Sequence, residues 1–74
     1  MSNWSAEVRN EHDGFGVDLE ADSEGSEEVL RIELVNDKGR SMYEYGSEIW
    51  LTRAAVTSLR DRLNEYLEQN GNPK

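Results

Sequence analysis

Strict alternation of apolar and polar residues between positions 15 and 22 is the feature that most constrains how this chain can fold. Phe15, Val17, Leu19 and Ala21 are apolar, and the residues between them are glycine and carboxylates. Successive side chains of a β-strand point to opposite faces, so this period of two predicts a strand with one apolar and one acidic face. Such a strand needs a second layer of structure to cover its apolar face.

The same pattern predicts strands on either side of this one. Residues 4–9 also alternate, and residues 29–35 form the most apolar β-type run, which we interpret as the central strand. Residues 36–39 are typical of a tight turn, and Gly39 is well placed for a left-handed backbone position. We expect residues 41–45 to return antiparallel and residues 48–51 to form a last short strand. The result is an antiparallel meander of about four strands.

Apolar residues recur at helical spacing near the end of the chain. They form a helix stripe that consists of Val56, Leu59, Leu63, Tyr66 and Leu67. Thr52 is suited to cap the start of this helix, and Gly71 and Pro73 are suited to end it, with residues 70–74 as a disordered tail. We expect the helix to pack across the apolar face of the sheet, so that residues 1–74 form a single α+β domain of the order β-β-β-β-α.

The charge of the chain is strongly negative and unevenly distributed. Sixteen acidic residues against eight basic ones leave a formal charge of −8, and residues 1–30 alone hold nine carboxylates against Arg9. A surface of this sign repels phosphate backbones and anionic lipids, so we expect neither direct duplex DNA binding nor membrane binding. No signal peptide pattern and no apolar run of the roughly 20 residues that span a membrane are recognised. Together with the absence of cysteine, this predicts a cytoplasmic protein.

The residues that carry chemistry in enzymes are sparse. His12 is the only histidine and lies between Glu11 and Asp13 in a predicted turn. Residues 20–25 resemble the start of a calcium loop, but the position that needs a bidentate carboxylate would be Arg31. We therefore expect no catalytic residue, no cofactor and no metal. A small ligand- or metal-dependent enzyme subunit is the weakest alternative.

The acidic strand face is the first candidate binding surface. Three carboxylates share that face: Asp18, Glu20 and Asp22. A second row is expected from Glu24, Glu27 and Glu28. Alternate residues of a strand lie about 6.6 Å apart, and each DNA strand carries a charge every roughly 3.4 Å. The two rows together could therefore imitate a phosphate backbone and occupy a basic groove. Alternatively, the charges only prevent aggregation of an edge strand.

Aromatic side chains form the second candidate surface. Alternation places Tyr43 and Tyr45 on one face of their strand, and it places Trp50 on the face opposite to Ile49 and Leu51. Aromatic clusters often anchor protein interfaces. The sequence leaves open whether these residues belong to the core or to an interface.

Small size, the acidic face and the missing active site together resemble the compact inhibitors encoded by phages and mobile elements, including DNA-mimic and anti-CRISPR proteins. The resemblance covers overall character and transfers no functional residue. It implies a non-enzymatic inhibitor or modulator that binds a basic nucleic-acid-binding protein or nuclease complex. An immunity protein that neutralises a basic nuclease would use the same physics.

A second resemblance covers residues 29–67. Strands that end in Ile49-x-Leu51-Thr52, followed by a helix with Leu59 and Leu63, are similar to the single-stranded-DNA-binding transcriptional coactivator fold, a curved sheet followed by a dimerising helix. Members of that family use basic and aromatic residues on the sheet, whereas this sheet is acidic. The resemblance implies the alternative function, a homodimeric structural or interaction module in which the acidic face serves solubility only.

Overall fold

The computed structural model describes residues 3–42 and 47–70, which form a four-stranded antiparallel sheet followed by one helix. The elements are β1 (Ser5–Arg9), β2 (Gly16–Glu24), β3 (Glu27–Val35), β4 (Glu48–Thr52) and α1 (Arg53–Gln69). Each strand pairs with the next along the chain. The predicted α+β class and the meander are confirmed. No helix in the described part of the chain is long and apolar enough to cross a membrane.

Glycines shape two of the connections. Gly25 has a positive φ of 64° in the two-residue turn between β2 and β3, a conformation that glycine adopts without strain. Gly16 lies where β1 and β2 approach closely, because a Cβ atom built there would be 1.8 Å from the Val8 carbonyl oxygen. The tight turn at Gly25 lets β2 continue to Glu24, so most of the polar segment at residues 22–26 is strand rather than loop.

The turn after β3 is built around Asn36. Its side-chain oxygen accepts hydrogen bonds from the backbone N–H groups of Lys38 and Arg40, at 2.9 and 3.1 Å. The Gly39 N–H donates to the Asn36 carbonyl at 2.9 Å, and Gly39 has a φ of 76°. The predicted turn and the left-handed Gly39 are both confirmed.

The chain then returns along the free edge of β3. Ser41 forms an isolated bridge with Val35, and the Met42 N–H donates to the Leu34 carbonyl at 3.0 Å. On the same edge, the Leu34 N–H donates to the Ser47 carbonyl at 2.9 Å, after which β4 pairs with residues 29–33 of β3. The predicted last strand, 48–51, is confirmed as β4, whereas of the predicted strand 41–45 only residues 41 and 42 are described, and Ser41 forms an isolated bridge there. Residues 43–46 lie outside the described residues.

The strand register sorts the side chains of the sheet into two chemically distinct faces. The apolar face carries Ala6, Val8, Val17, Leu19, Ala21, Leu30, Ile32, Leu34, Ile49 and Leu51. The charged face carries Glu7, Arg9, Asp18, Glu20, Asp22, Arg31, Glu33, Glu48 and Trp50. Residues directly opposite one another in antiparallel strands share a face, so four independent alternation patterns meet in phase.

The helix begins where local chemistry predicts, and its end differs from the prediction by one residue. The Thr52 side chain accepts a hydrogen bond from the Ala55 N–H at 3.3 Å, which confirms the predicted cap. At the other end, the Asn70 N–H donates to the Tyr66 carbonyl at 2.8 Å. Asn70 was expected in the tail and instead caps the helix, because its backbone N–H still reaches the last turn. Residues 71–74 lie outside the described residues.

The expected packing of the helix across the sheet is found only at its start. Among the described elements, α1 contacts β3 and β4 alone, and Val56 lies beside Leu30 and Leu51 of the apolar face. No helix residue is buried. The reason is the connection: Thr52 is both the last residue of β4 and the cap of α1, whereas most connections between elements have several residues. Without a loop, the helix does not turn back over its own sheet.

Little apolar surface is buried as a result. Val29 and Val35 are the only buried apolar residues in the described part of the chain, and the register places both on the charged face of β3 rather than on the apolar face. The radius of gyration is 13.9 Å, whereas a compact domain of this length has about 11 Å. The molecule is elongated, with extents of 44 × 29 × 21 Å.

Candidate binding surfaces on the two sides of the sheet

The predicted carboxylate row lies on one face of β2, but two of its three members are paired with arginines. Arg9 Nη2 lies 3.0 Å from Asp18 Oδ1, and Arg31 Nη2 lies 2.5 Å from Glu20 Oε1. Both arginines come from neighbouring strands of the same face. The row is therefore a charged lattice of both signs rather than a plain line of negative charge.

Arg31 is the centre of that lattice. Besides Glu20, its Nη1 atom lies 3.1 Å from Glu33 Oε1 and 3.4 Å from Glu48 Oε1, so one guanidinium joins three strands. Hydrogen bonds to Glu20 and Glu33 raise the pKa of Arg31 above its usual value. The Ser41 hydroxyl donates to Glu33, and this bond together with Arg31 holds the pKa of Glu33 below its usual value.

The remaining acidic residues form an acidic tip where β2 turns into β3. This tip consists of Asp22, Glu24, Glu27 and Glu28. Glu24 and Glu27 lie directly opposite each other across the turn, an arrangement of like charges that costs stability. In the described part of the chain, no basic side chain pairs with Asp22, Glu24 or Glu27.

Glu28 differs from its neighbours in the tip. It was predicted to share a row with Glu24 and Glu27, but it lies opposite Ser23 and therefore points to the side of the apolar face. There it lies 3.5 Å from Arg53, the first residue of the helix. Alternation along β3 is the reason, because two consecutive residues of a strand cannot share a face.

The aromatic surface is described only in part. Trp50 lies opposite Arg31 on the charged face with 49% of its surface exposed, and Ile49 and Leu51 lie on the other face, as predicted. Tyr43 and Tyr45 lie outside the described residues. The structure thus places the exposed indole ring of Trp50 on the edge strand β4, beside Arg31 of the charged lattice.

The apolar face is the larger unfilled surface. Its residues near the start of the helix, Leu30 and Leu51, are half-buried. Exposure is higher for 57%-exposed Val8 on the edge strand β1, for 42%-exposed Leu34 near the end of β3, and for 53%-exposed Ile49 on the edge strand β4. These side chains stay open to solvent because α1 contacts the sheet only near the helix start.

The helix stripe is exposed as well. Leu59 is 38% exposed, and Leu63, Tyr66 and Leu67 are each more than half exposed. Only Val56, at the N-terminal end of the stripe, is half-buried against the sheet. The stripe and the apolar face therefore meet at Val56 and diverge from there.

Sequence reasoning did not single out the arginine lattice of Arg9, Arg31, Glu33 and Glu48. The sequence does contain a signal for one contact of this lattice, the pair of Glu20 and Arg31. If the turn between β2 and β3 has two residues, at Gly25 and Ser26, Glu20 falls opposite Arg31 and cross-strand pairing of opposite charges follows. The contact with Glu48 depends on the length of the return after β3, which no local pattern specifies.

Chemistry at the surface is limited. Within residues 3–42 and 47–70, no group of three or more histidine, aspartate or glutamate side chains is arranged to hold a metal ion. His12 has an exposed side chain, and its Nε2 lies 3.4 Å from Asp13 Oδ2 in the turn after β1. Comparison of the chain with protein-family models, with curated proteins and with solved structures found no match.

Proposed function

We propose that this protein is a non-enzymatic inhibitor or modulator that binds a basic, nucleic-acid-handling protein through its charged face, with the acidic tip as the point of strongest attraction. The observation that carries the proposal is the absence of a basic partner for Asp22, Glu24 and Glu27 in the described part of the chain. Glu24 and Glu27 repel each other across the turn, so a cation placed between them would be bound with a gain in stability.

The charged lattice supports this role in a different way. Arg9 and Arg31 hold Asp18 and Glu20 in fixed positions, so these carboxylates present their remaining oxygens to a partner without losing side-chain freedom on binding. Asp22 and Glu24 continue the same line of alternate residues toward the tip. A basic groove would therefore contact two regions of this face. The arginine-paired carboxylates at its centre are rigid and partly neutralised, and Asp22 and Glu24 of the acidic tip have no basic partner in the described part of the chain.

Capture from host lysate followed by mass spectrometry tests the proposal. The native protein is compared with an Asp22→Lys/Glu24→Lys/Glu27→Lys variant of the tip. A matched control, Glu11→Lys/Asp13→Lys/Asp37→Lys, changes the net charge equally but in the exposed turns at the other end of the sheet. We expect a basic nucleic-acid-binding protein to be captured by the native protein and the control and lost with the tip variant. Equal capture by all three proteins would contradict the proposal.

Salt dependence provides a second measurement on the captured partner. Exposed charge pairs are screened over a Debye length of about 8 Å at physiological salt. Binding through the tip is therefore expected to weaken at least tenfold between 50 and 300 mM salt, mainly through a slower association rate. An affinity that does not change with salt would assign the contact to the apolar surfaces instead.

The alternative is a homodimeric interaction module whose charged face serves solubility only. The pairing of Asp18 and Glu20 with arginines favours it, because a face that neutralises its own centre needs no partner there. The lysate capture also separates the two functions, since a captured basic protein that is lost with the tip variant favours the inhibitor, and equal or no capture by the native protein and the tip variant favours the alternative.

A further inference from the structure

Two apolar surfaces of this chain match each other but meet only at Val56 within one molecule. The sheet presents an aliphatic face of which no member is buried, and the helix presents a stripe along its whole length. We infer that a second copy of this chain occupies both surfaces. In this two-fold dimer the two helices run antiparallel, and the helix of each copy covers the exposed apolar face of the other copy's sheet.

The accessible area of the chain supports a covered interface of this size. The chain exposes 6087 Å², whereas a compact monomer of 8.5 kDa exposes about 4,700 Å². The excess is about 1,400 Å², and one partner of a stable protein interface contributes about 800 Å². The excess of accessible surface is therefore large enough for one side of a standard dimer interface, and the exposed residues of the apolar face and the helix stripe lie where such an interface would form.

The shape of the surface points to a second copy rather than to a peptide. At Val56 the stripe joins Leu30 and Leu51 of the sheet, so helix and sheet form the two sides of one open angle. A two-fold axis places the helix of one copy between the helix and the sheet of the other copy. The same contact is then made a second time with the two copies exchanged. Such an isologous interface is the commonest form of homodimer and closes on itself without leaving an apolar edge.

Charges on the helix select the antiparallel orientation. Residues 53–62 hold three arginines and one aspartate, a net charge of +2, and residues 63–69 hold two glutamates, a net charge of −2. Antiparallel helices place the positive half of each over the negative half of the other, and their dipoles also oppose. Parallel helices would bring Arg60 and Arg62, which flank the stripe, next to their own copies.

Sedimentation and thermal unfolding test the dimer in the native chain. We expect a mass of twice 8.5 kDa at micromolar concentration and an unfolding midpoint that rises over a hundredfold increase in concentration, since dissociation accompanies unfolding. Leu63→Asp in the stripe is expected to abolish the dimer, while the control Asn64→Asp, on the other side of the helix, leaves it intact. A native chain that is a folded monomer with a constant midpoint would overturn the inference.

Cross-linking tests the orientation even if Leu63→Asp fails to fold. The chain has no cysteine, so one introduced thiol is unique. Val56 and Tyr66 lie five residues on either side of Asp61, the midpoint of α1. Antiparallel helices are expected to give a disulfide when Val56→Cys and Tyr66→Cys proteins are mixed, and little from either alone. Efficient self-linking of both variants, with no mixed product, would overturn the antiparallel arrangement.

Discussion

The charged face and the apolar surfaces of this protein differ in how far their side chains find partners within one chain. On the charged face, Arg31 reaches carboxylates on three strands, and Arg9 pairs with Asp18. On the opposite side, the apolar face and the helix stripe remain open to solvent. Electrostatic pairing on the charged face is therefore largely intramolecular, whereas the apolar surfaces are covered only in small part within one chain.

The largest expected effect is a loss of stability that occurs only if the apolar face of the sheet is covered by a second copy. Ile49 is 53% exposed in the single chain, where a lysine would change stability by less than about 0.5 kcal/mol. In the dimer the same Ile49→Lys change would bury a charge and cost at least about 2 kcal/mol. We expect the larger loss, measured by urea unfolding, together with dissociation. Thr57→Lys, on the exposed side of the helix, serves as the control and is expected to change neither.

The next effect tests whether the charged face holds the sheet together. Arg31→Gln removes the cation shared by Glu20, Glu33 and Glu48, and the free energy of unfolding is expected to fall by about 1–3 kcal/mol because these partly shielded carboxylates repel one another. Arg62→Gln breaks an exposed pair within one helix and is expected to cost less than about 0.5 kcal/mol. Equal losses for the two variants would show that the lattice adds nothing to stability.

Acidification gives a smaller effect with a defined sign. The pKa of Glu33 is lowered in the folded protein by Ser41 and Arg31, so the unfolded chain binds more protons between the two pKa values. The resulting stability is present above the ordinary glutamate pKa of about 4.3 and is lost as the pH falls through the folded value. Glu33→Gln and Ser41→Ala should each reduce this loss in a pH series of urea unfolding. Unchanged slopes in both variants would exclude Glu33 as its source.

The smallest expected effect concerns the acidic tip and has opposite signs for stability and binding. Glu27→Lys converts the repulsion with Glu24 into an attraction, so the free energy of unfolding should rise by roughly 0.2–1 kcal/mol while binding to the basic partner weakens. Glu28→Lys places a lysine beside Arg53 and is expected to give no gain in stability. A stabilised Glu27→Lys protein that still binds its partner would remove the tip from the proposed interface.

Local patterns in the sequence were sufficient for the elements and for the faces of the sheet. Alternation in residues 15–22 and 29–35 specified which side chains share a face, because the period of a strand admits only two choices. Thr52 as helix cap and Gly39 in the left-handed turn followed from the same short-range chemistry. These features depend on residues within a few positions of one another.

Partners distant in sequence were decided only by the tertiary structure. Arg31 neutralises Glu20 and Glu48, which lie 11 and 17 residues away, so the predicted acidic line became a mixed lattice. Helical periodicity predicted the stripe but not its exposure, since the direct connection at Thr52 carries the helix away from its own sheet. A periodic pattern states that a surface is apolar, whereas the path of the backbone in space determines what that surface can reach.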